Sequence, residues 1–373
     1  MNRMRDLVGV DFPLFAFSHC RDVVAAVSRA GGFGVLGGSS FTPESLEVEL
    51  AWIDDHVDGK PYGVDILVPE HQFATGGATI AQLAESIPSQ HREFVRDLLH
   101  RYDVELTVTE REAGDLPPAT SPEVSHELMD VAFRHPIRLI ANALGIAPAW
   151  MIERGKAEGV AVAALVGAKE HAIRQVDAGV DLLVAQGTEA GGHCGEVSTL
   201  VVVPEVIRAV QSIRDVPVLA AGGIMTGAQM AGCMAMGAAG AWTGSVWLAT
   251  TESEVPDSFR QKMVEARSRD TIRSKARTGK PSRQLRSAWH DAWEGPDSPG
   301  SLPLPLMSIL STPAFMSIEK AAEAGNDGAR ELLSYWVGQG VGLVESVKSA
   351  EQVVQDFMRD YGEAVERLAG LLD

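Results

Sequence analysis

Short apolar runs rich in β-branched residues alternate along the chain with longer segments of helical periodicity. This alternation is typical of a parallel sheet built from βα units. The runs predict eight strands, the number that a closed (β/α)8 TIM barrel requires. The predicted strands are Pro13–Phe17, Phe33–Leu36, Tyr62–Leu67, Ile137–Asn142, Val160–Val166, Asp181–Gln186, Pro217–Ala221 and Ala239–Thr243.

The segments between these runs carry helix start and stop signals. A helix over Pro43–Asp55 is expected to have Thr42 as its N-cap and Pro43 at its first helical position. A second helix, Lys169–Ala178, is expected to end at Gly179, which can adopt the left-handed conformation of a helix terminus.

Two segments of the chain are additional to the eight βα units of a barrel. An insertion at about residues 69–135 separates the third and fourth strands, and it contains a predicted helix near Ser89–Tyr102. Connections this long usually form lids or interaction surfaces. From Glu252 onward the chain reads as helical, with an irregular stretch at Gly295–Pro305. We therefore expect a barrel domain at 1–251 and a helical C-terminal region at 252–373 that packs on it and completes the active site.

Composition narrows the function classes. The net charge of −18 argues against a nucleic-acid partner and against attraction to an anionic membrane. Any anionic ligand must then be held by local donors. Three cysteines without a CxxC pair fit neither a disulfide framework nor a zinc site, and no other metal-ligand spacing occurs. Without a secretory h-region or a long apolar run, the expected location is cytoplasmic. A homodimer is left open.

Glycines follow the seventh and eighth runs, where barrels of this class often hold a phosphate. Gly222 and Gly223 lack a Cβ atom, so their backbone N–H groups can approach an anion closely. Gly244 offers the same approach after the eighth run, and Ser245 adds a hydroxyl. The alternative is that both are ordinary βα turns, in which glycine is common.

The strongest local signal is the glycine-rich segment Ala185–Gly195, directly after the sixth run. It projects from the catalytic face of the predicted barrel. Gln186 can both donate to and accept from a planar ring edge. His193 can exchange a proton near neutral pH. A structural role for this histidine is the alternative, and its glycine-rich setting favours the catalytic one.

These residues carry a family resemblance. The chain resembles the nitronate monooxygenases, formerly called 2-nitropropane dioxygenases, whose scaffold is shared with FMN-dependent enoyl-acyl-carrier-protein reductases. The resemblance covers most of the chain, and its segments are Ala30–Gly34, Ala185–Gly195, Ala220–Ile224, Gly237–Ala241, Thr278–Arg283 and Gly338–Gly342.

The resemblance implies an FMN cofactor and a role for each matching residue. His193 would be catalytic, lying over the flavin ring near the substrate. The loop Gly338–Gly340 would approach from the tail, which makes Gln339 a candidate substrate contact. The residues implied to contact FMN are Gln186, Gly187, Gly191 and Gly192, and those implied to hold its phosphate are Gly222, Gly223, Gly244 and Ser245.

Two positions depart from the family pattern. The first strand usually continues as Gln-Ala-Pro-Met, whereas here it leads into His19, which becomes a candidate substrate contact or a cap of the next helix. The third strand usually ends in Asn, but here it ends in Asp65, so either this carboxylate points elsewhere or the redox behaviour differs. Asn142, at the end of the fourth run, faces the substrate or caps its strand.

Three functions remain. The resemblance favours an FMN-dependent oxidoreductase that oxidises alkyl nitronates or nitroalkanes with dioxygen. The alternative is an FMN-dependent reductase of an enoyl thioester (acyl-CoA or acyl-carrier protein) or a quinone, with NAD(P)H as electron donor. A binding protein that keeps the scaffold without catalysis is the third, motivated by the altered first loop and Asp65.

Overall fold

The computed structural model describes residues 3–68, 80–108 and 122–371. All eight predicted strands form, and they close into a parallel barrel in the order β1-β2-β3-β4-β5-β6-β8-β9. The predicted fold class is therefore confirmed. The barrel strands are β1 Leu14–Ser18, β2 Phe33–Gly37, β3 Tyr62–Asp65, β4 Leu139–Asn142, β5 Ala161–Val166, β6 Leu182–Gln186, β8 Val218–Ala221 and β9 Gly240–Thr243.

A second sheet of three strands lies outside the barrel. The short strand β7 (Gly192–His193) pairs antiparallel with β11 (Ser282–Leu285), which pairs with β10 (Thr271–Ser274). The tail was expected to be helical, so this hairpin was not predicted. It joins the tail directly to the glycine-rich loop after β6.

Helices surround the barrel and build most of the tail. Thr42 caps α3 as predicted, because its side chain accepts a hydrogen bond from the Ser45 amide at 3.1 Å. Gly179 ends α8 with φ +109°. The helices are α1 Arg3–Val8, α2 Arg21–Arg29, α3 Pro43–His56, α4 Ile80–Glu85, α5 Ser89–Arg101, α6 Pro122–Ala132, α7 Ala149–Glu158, α8 Lys169–Ala178, α9 Thr199–Gln211, α10 Gly227–Ala235, α11 Ser245–Leu248, α12 Asp257–Glu265, α13 Ala288–Trp293, α14 Leu306–Glu323, α15 Asp327–Leu332 and α16 Ala350–Ala369.

Alternate residues of each strand fill the barrel interior, as the two-residue period of a strand requires. The interior cluster includes Phe33 and Val35 of β2, Leu182 and Val184 of β6, and Trp242 of β9. The other face of the strands packs against the helices. At Gly34 a Cβ atom would lie 2.4 Å from the Val24 carbonyl oxygen, so α2 packs directly on the backbone of β2.

The insertion and the tail share a second hydrophobic core. Val95 and Leu98 of α5 pack with Trp293, Phe315 and other tail residues. The last helix, α16, returns to the barrel, where its buried Phe357 belongs to the core between strands and helices. The boundary at residue 251 stays a prediction.

Parts of the insertion lie outside the described residues, namely 69–79 and 109–121. In the described ranges, none of the helices combines the length and apolar character that crossing a bilayer requires.

Candidate active site

A cavity of about 1170 Å³ opens at the C-terminal end of the barrel strands. Three parts of the chain enclose it: the barrel loops, the insertion helix α4 and the tail. The barrel loops contribute glycine backbone and His193, and the tail contributes apolar side chains together with Arg273 and Lys280. Lining residues include Phe17, His19, Asp65, Leu165, Gln186, Gly191, Gly192, His193, Gly222, Gly223, Trp242, Gly244 and Ser245 from the barrel, Ile80 and Leu83 from α4, and Lys280, Leu304, Ile309, Trp336 and Gly338 from the tail.

The loops after β8 and β9 present unpaired amides to this cavity. The backbone N–H groups of Gly222, Gly223, Gly244 and Ser245 donate to no described residue. The four residues are half-buried on the cavity wall, so these unpaired donors are available to a ligand or to water. Gly222 and Gly223 have φ of +113° and +69°, which explains glycine at both positions.

At Gly244, backbone conformation does not explain the glycine, unlike at Gly222 and Gly223. Its φ is −130°, which other residues adopt, and a Cβ atom there would meet no described atom within 4 Å. Neither the backbone nor the packing of the described residues therefore requires glycine. The space beside Gly244 belongs to the cavity, and an added side chain would occupy volume that a ligand could fill.

His193 is held by the tail. It pairs with Ser282 of β11, and its Nδ1 lies 3.2 Å from the Pro281 carbonyl oxygen. A carbonyl only accepts, so Nδ1 carries the proton and Nε2 of the neutral ring keeps its lone pair. Desolvation lowers the pKa of His193; the hydrogen bond to the Pro281 carbonyl acts in the opposite direction, and the charge of Lys280 lowers the pKa further. The imidazole is therefore a neutral proton acceptor at pH 7.

Glu189 organises the glycine-rich loop, a role that the sequence analysis did not assign. Its Oε2 accepts from the backbone amide of Thr199 at 2.9 Å and from the Thr199 hydroxyl at 2.8 Å. Gly187 packs against the same threonine, where a Cβ atom would lie 2.2 Å from Oγ1. Gly187 does not line the cavity. In the sequence, Glu189 is only a carboxylate ten residues before the start of a helix. That pattern is too common to predict its role in the loop.

The tail reaches the cavity through the turn at Gly338–Gly340. The Gly338 amide donates to Ser245 Oγ at 2.9 Å, and the Gln339 amide donates to the Glu189 carbonyl at 2.8 Å. Gly338 lines the cavity, but Gln339 does not. The structure therefore does not bring the Gln339 side chain to the position of a substrate contact.

His19 and Asn142 have different environments. His19 lines the cavity, and its Nδ1 donates to the Gly37 carbonyl at 3.2 Å, so it does not cap α2. Asn142 is fully buried and does not line the cavity. Its side chain accepts from the amides of Val68 and Leu144 and donates to their carbonyls. These bonds occupy its amide group and join β4 to the segment after β3.

Asp65 points into the cavity. Tyr62 and Val64 pack in the outer core, and strand residues alternate between faces, so Asp65 faces the barrel mouth. Asp65 is 5% exposed, and burial raises the pKa of its carboxyl group to about 7.

In the basic segment Arg273–Arg277, the side chain of Arg277 is buried and does not face solvent. Its guanidinium is buried, stacked 4.0 Å from the Trp336 ring centroid and 4.1 Å from that of Phe315. Arg273 donates to the Cys194 carbonyl at 3.3 Å. Burial raises the pKa of the Cys194 thiol, which opposes a thiolate nucleophile beside His193.

Comparisons with known proteins agree on one family. A family model described as nitronate monooxygenase matches residues 2–360. A provisionally named monooxygenase of Mycobacterium tuberculosis, Rv1533, is 51% identical over 99% of both chains. A provisionally named nitronate monooxygenase of Staphylococcus aureus is 28% identical over 91% of both.

Solved structures share the whole architecture. FabK from Thermotoga maritima superimposes with a TM-score of 0.71 at 26% identity, covering 100% of this chain and 99% of that one. The nitroalkane oxidase from Streptomyces ansochromogenes has a TM-score of 0.77 at 24% identity, covering 98% and 99%. At that identity the second likeness concerns the fold alone.

Proposed function

The chain belongs to the nitronate monooxygenase family, and from that premise we propose that it binds FMN in this cavity and oxidises alkyl nitronates and nitroalkanes with dioxygen. The observation that carries the proposal is that the unpaired amides of two glycine loops and the free Nε2 of His193 belong to one cavity. Bound FMN would supply the electron acceptor and the site of reaction with dioxygen.

The donor set fits the phosphate of FMN. Unpaired amides suit phosphate oxygens because each N–H can donate without a charged side chain. Local donors of this kind matter in a chain whose net charge of −18 repels an anion at longer range. The mouth of the barrel beside them is lined by Phe17, Leu165, Gln186 and Trp242, a largely apolar layer with one amide that can read a ring edge.

His193 would act as the base for nitroalkanes. Its Nε2 would accept the proton from the carbon that bears the nitro group, and the electron pair of that C–H bond would form the nitronate. The Pro281 carbonyl would stabilise the imidazolium through Nδ1–H. A preformed nitronate has already lost this proton, so it needs no base for that step.

The experiment follows from this difference. Oxygen consumption by the FMN-loaded protein is measured with a nitroalkane and with its preformed nitronate. In the His193→Gln variant we expect turnover of the nitroalkane to fall by about 10²–10⁴-fold, the usual contribution of a placed base, and that of the nitronate to fall much less. The control is His171→Gln in α8, an exposed histidine away from the cavity. Equal losses with both substrates would contradict the base assignment.

A second candidate function has its own observation. The cavity exceeds the roughly 300–1,000 Å³ typical of small-ligand pockets. The wall formed by α4 and the tail contains the apolar side chains of Leu83, Leu304, Ile309 and Trp336. Room beside FMN for a long apolar substrate favours an NAD(P)H-dependent reductase of an enoyl thioester or a quinone. Rapid anaerobic bleaching of the flavin by NADPH would support this reductase, and no bleaching would remove it.

A further inference from the structure

The carboxyl group of Asp65 has no hydrogen-bond or ion-pair partner in the part of the chain that the structure describes. It is a buried acidic residue on the cavity wall, and no described side chain or amide makes a hydrogen bond to it. The neighbouring strands explain this. Asp65 is in register with Gly37 of β2 and Ala141 of β4, and neither has a polar side chain.

No charged group elsewhere in the described part of the cavity stabilises the ionised form of the Asp65 carboxyl group. Neither β2 nor β4 contains a charged residue. Burial alone accounts for the raised pKa of Asp65, so no nearby cation favours its ionised form. The titratable groups that share the cavity with Asp65 are His19, Cys20, His193, Cys194, Glu254, Arg273, Lys280 and Tyr335.

The barrel order places Asp65 opposite the unpaired amides. In the closed series β1-β2-β3-β4-β5-β6-β8-β9, strand β3 lies four positions from β8, which is halfway around the ring. Gly222 and Gly223 follow β8, and Gly244 follows β9. A ligand held by an anionic group at these glycines and extended across the mouth would therefore end near Asp65.

Asp65 also belongs to the layer on which such a ligand would lie. Inward-facing residues at the strand ends form this layer, and Phe17, Gln186 and Trp242 are other members. A planar ring placed there would exclude water from Asp65. Further desolvation disfavours the carboxylate and favours the protonated acid, which can donate a hydrogen bond.

We propose that Asp65 in its protonated form donates a hydrogen bond to an acceptor on the ring edge of the bound cofactor, so that FMN binding takes up a proton. The proposal rests on the flavin binding proposed above. The proton comes from solvent and resides on the Asp65 carboxyl group, and no redox step is involved. A ring with carbonyl oxygens or unprotonated nitrogens at its edge provides the acceptor.

The test is the pH dependence of FMN binding, measured by flavin fluorescence without substrate. With a carboxyl pKa of about 7 in the free protein, the dissociation constant of the natural chain should rise about tenfold between pH 6 and pH 8. Asp65→Asn keeps the shape and cannot ionise, so it should lack this rise. The phosphate of FMN titrates in both proteins, so the difference between the two profiles isolates Asp65.

The outcomes are distinct. Parallel profiles for the two proteins, or tighter binding of the natural chain at pH 8, would overturn the proposal. No FMN binding by either protein at any pH would instead overturn the proposed function on which it rests. Calorimetry of both proteins at pH 7, in two buffers of different ionisation enthalpy, gives an independent reading. We expect the natural chain to take up about half a proton more per FMN than Asp65→Asn does, and equal uptake by the two proteins would contradict the proposal.

Discussion

The hydroxyl oxygen of Ser245 accepts a hydrogen bond from the backbone amide of Gly338 at 2.9 Å, which joins the loop after β9 to the tail. The two residues are 93 positions apart in the chain. Ser245 is one of the residues implied to hold the FMN phosphate, and Gly338 lines the same cavity. The position of the tail and the geometry of the phosphate loop are therefore coupled at this bond.

Removing the Ser245 hydroxyl should affect both the position of the tail and the binding of the phosphate. Ser245→Ala leaves the buried Gly338 amide without an acceptor, at a cost of about 1–3 kcal/mol in the free energy of unfolding. We expect faster hydrogen exchange at Gly338 and weaker FMN binding. Ser245→Thr keeps a hydroxyl and is the matched control. Unchanged exchange at Gly338 in the alanine variant would contradict the coupling.

A methyl group at Gly244 should block the ligand without disturbing the fold. Because a Cβ atom there meets no described atom within 4 Å, Gly244→Ala should leave the urea midpoint nearly unchanged and weaken FMN binding at least about tenfold, equivalent to 1.4 kcal/mol.

Gly232→Ala in α10 is the control for this substitution, since a Cβ atom there also meets no described atom. It should stabilise the helix by about 0.5–1 kcal/mol and leave FMN affinity unchanged. Equal FMN affinities of the Gly244 variant and the natural chain would place the phosphate elsewhere.

Asp65 should make the cofactor-free protein less stable as the pH rises. The folded pKa of about 7 exceeds the ordinary 3.8, so between these values the folded chain holds a proton that the unfolded chain lacks. Raising the pH then favours unfolding, by about 1.4 kcal/mol per pH unit in this window.

Asp65→Asn removes this contribution. The variant should be more stable than the natural chain at pH 8, and its advantage should shrink by about 2–3 kcal/mol at pH 5. Urea unfolding of the two proteins at pH 8 and pH 5 measures this difference in the free energy of unfolding. A constant difference would show that Asp65 does not titrate in this range.

His193 should set the acid limb of the pH profile with a nitroalkane. Desolvation lowers its pKa below 6.5, and only the neutral imidazole accepts a proton. We expect kcat/KM to fall as the pH falls through a value below 6.5, with a plateau at pH 7. His193→Gln should lose this limb. A limb above pH 6.5 that persists in the variant would assign it to another group.

The barrel could be predicted from the sequence because each strand is a short, nearly continuous apolar run that is buried on both faces. The hairpin of β10 and β11 has no such signal. Its strands, Thr271–Ser274 and Ser282–Leu285, are polar and short, and they are stabilised by pairing with His193 in a distant segment. Propensity alone does not contain that pairing.

The candidate site could be predicted in part, for a similar reason. Glycine loops at strand ends mark where a ligand can approach, so Gly222 and Gly244 could be identified locally. The environment of Asn142 could not, because four hydrogen bonds to Val68 and Leu144 depend on how the insertion leaves β3. The burial of Arg277 depends on aromatic residues tens of positions away.

The most direct test of flavin oxidation in this cavity is the absorbance spectrum of the FMN-saturated protein, recorded before and after anaerobic mixing with an alkyl nitronate. The account predicts a protein-bound flavin whose oxidised band is lost on mixing and returns when dioxygen is admitted. A protein that binds no FMN, or a bound flavin whose band persists with the nitronate, would contradict it.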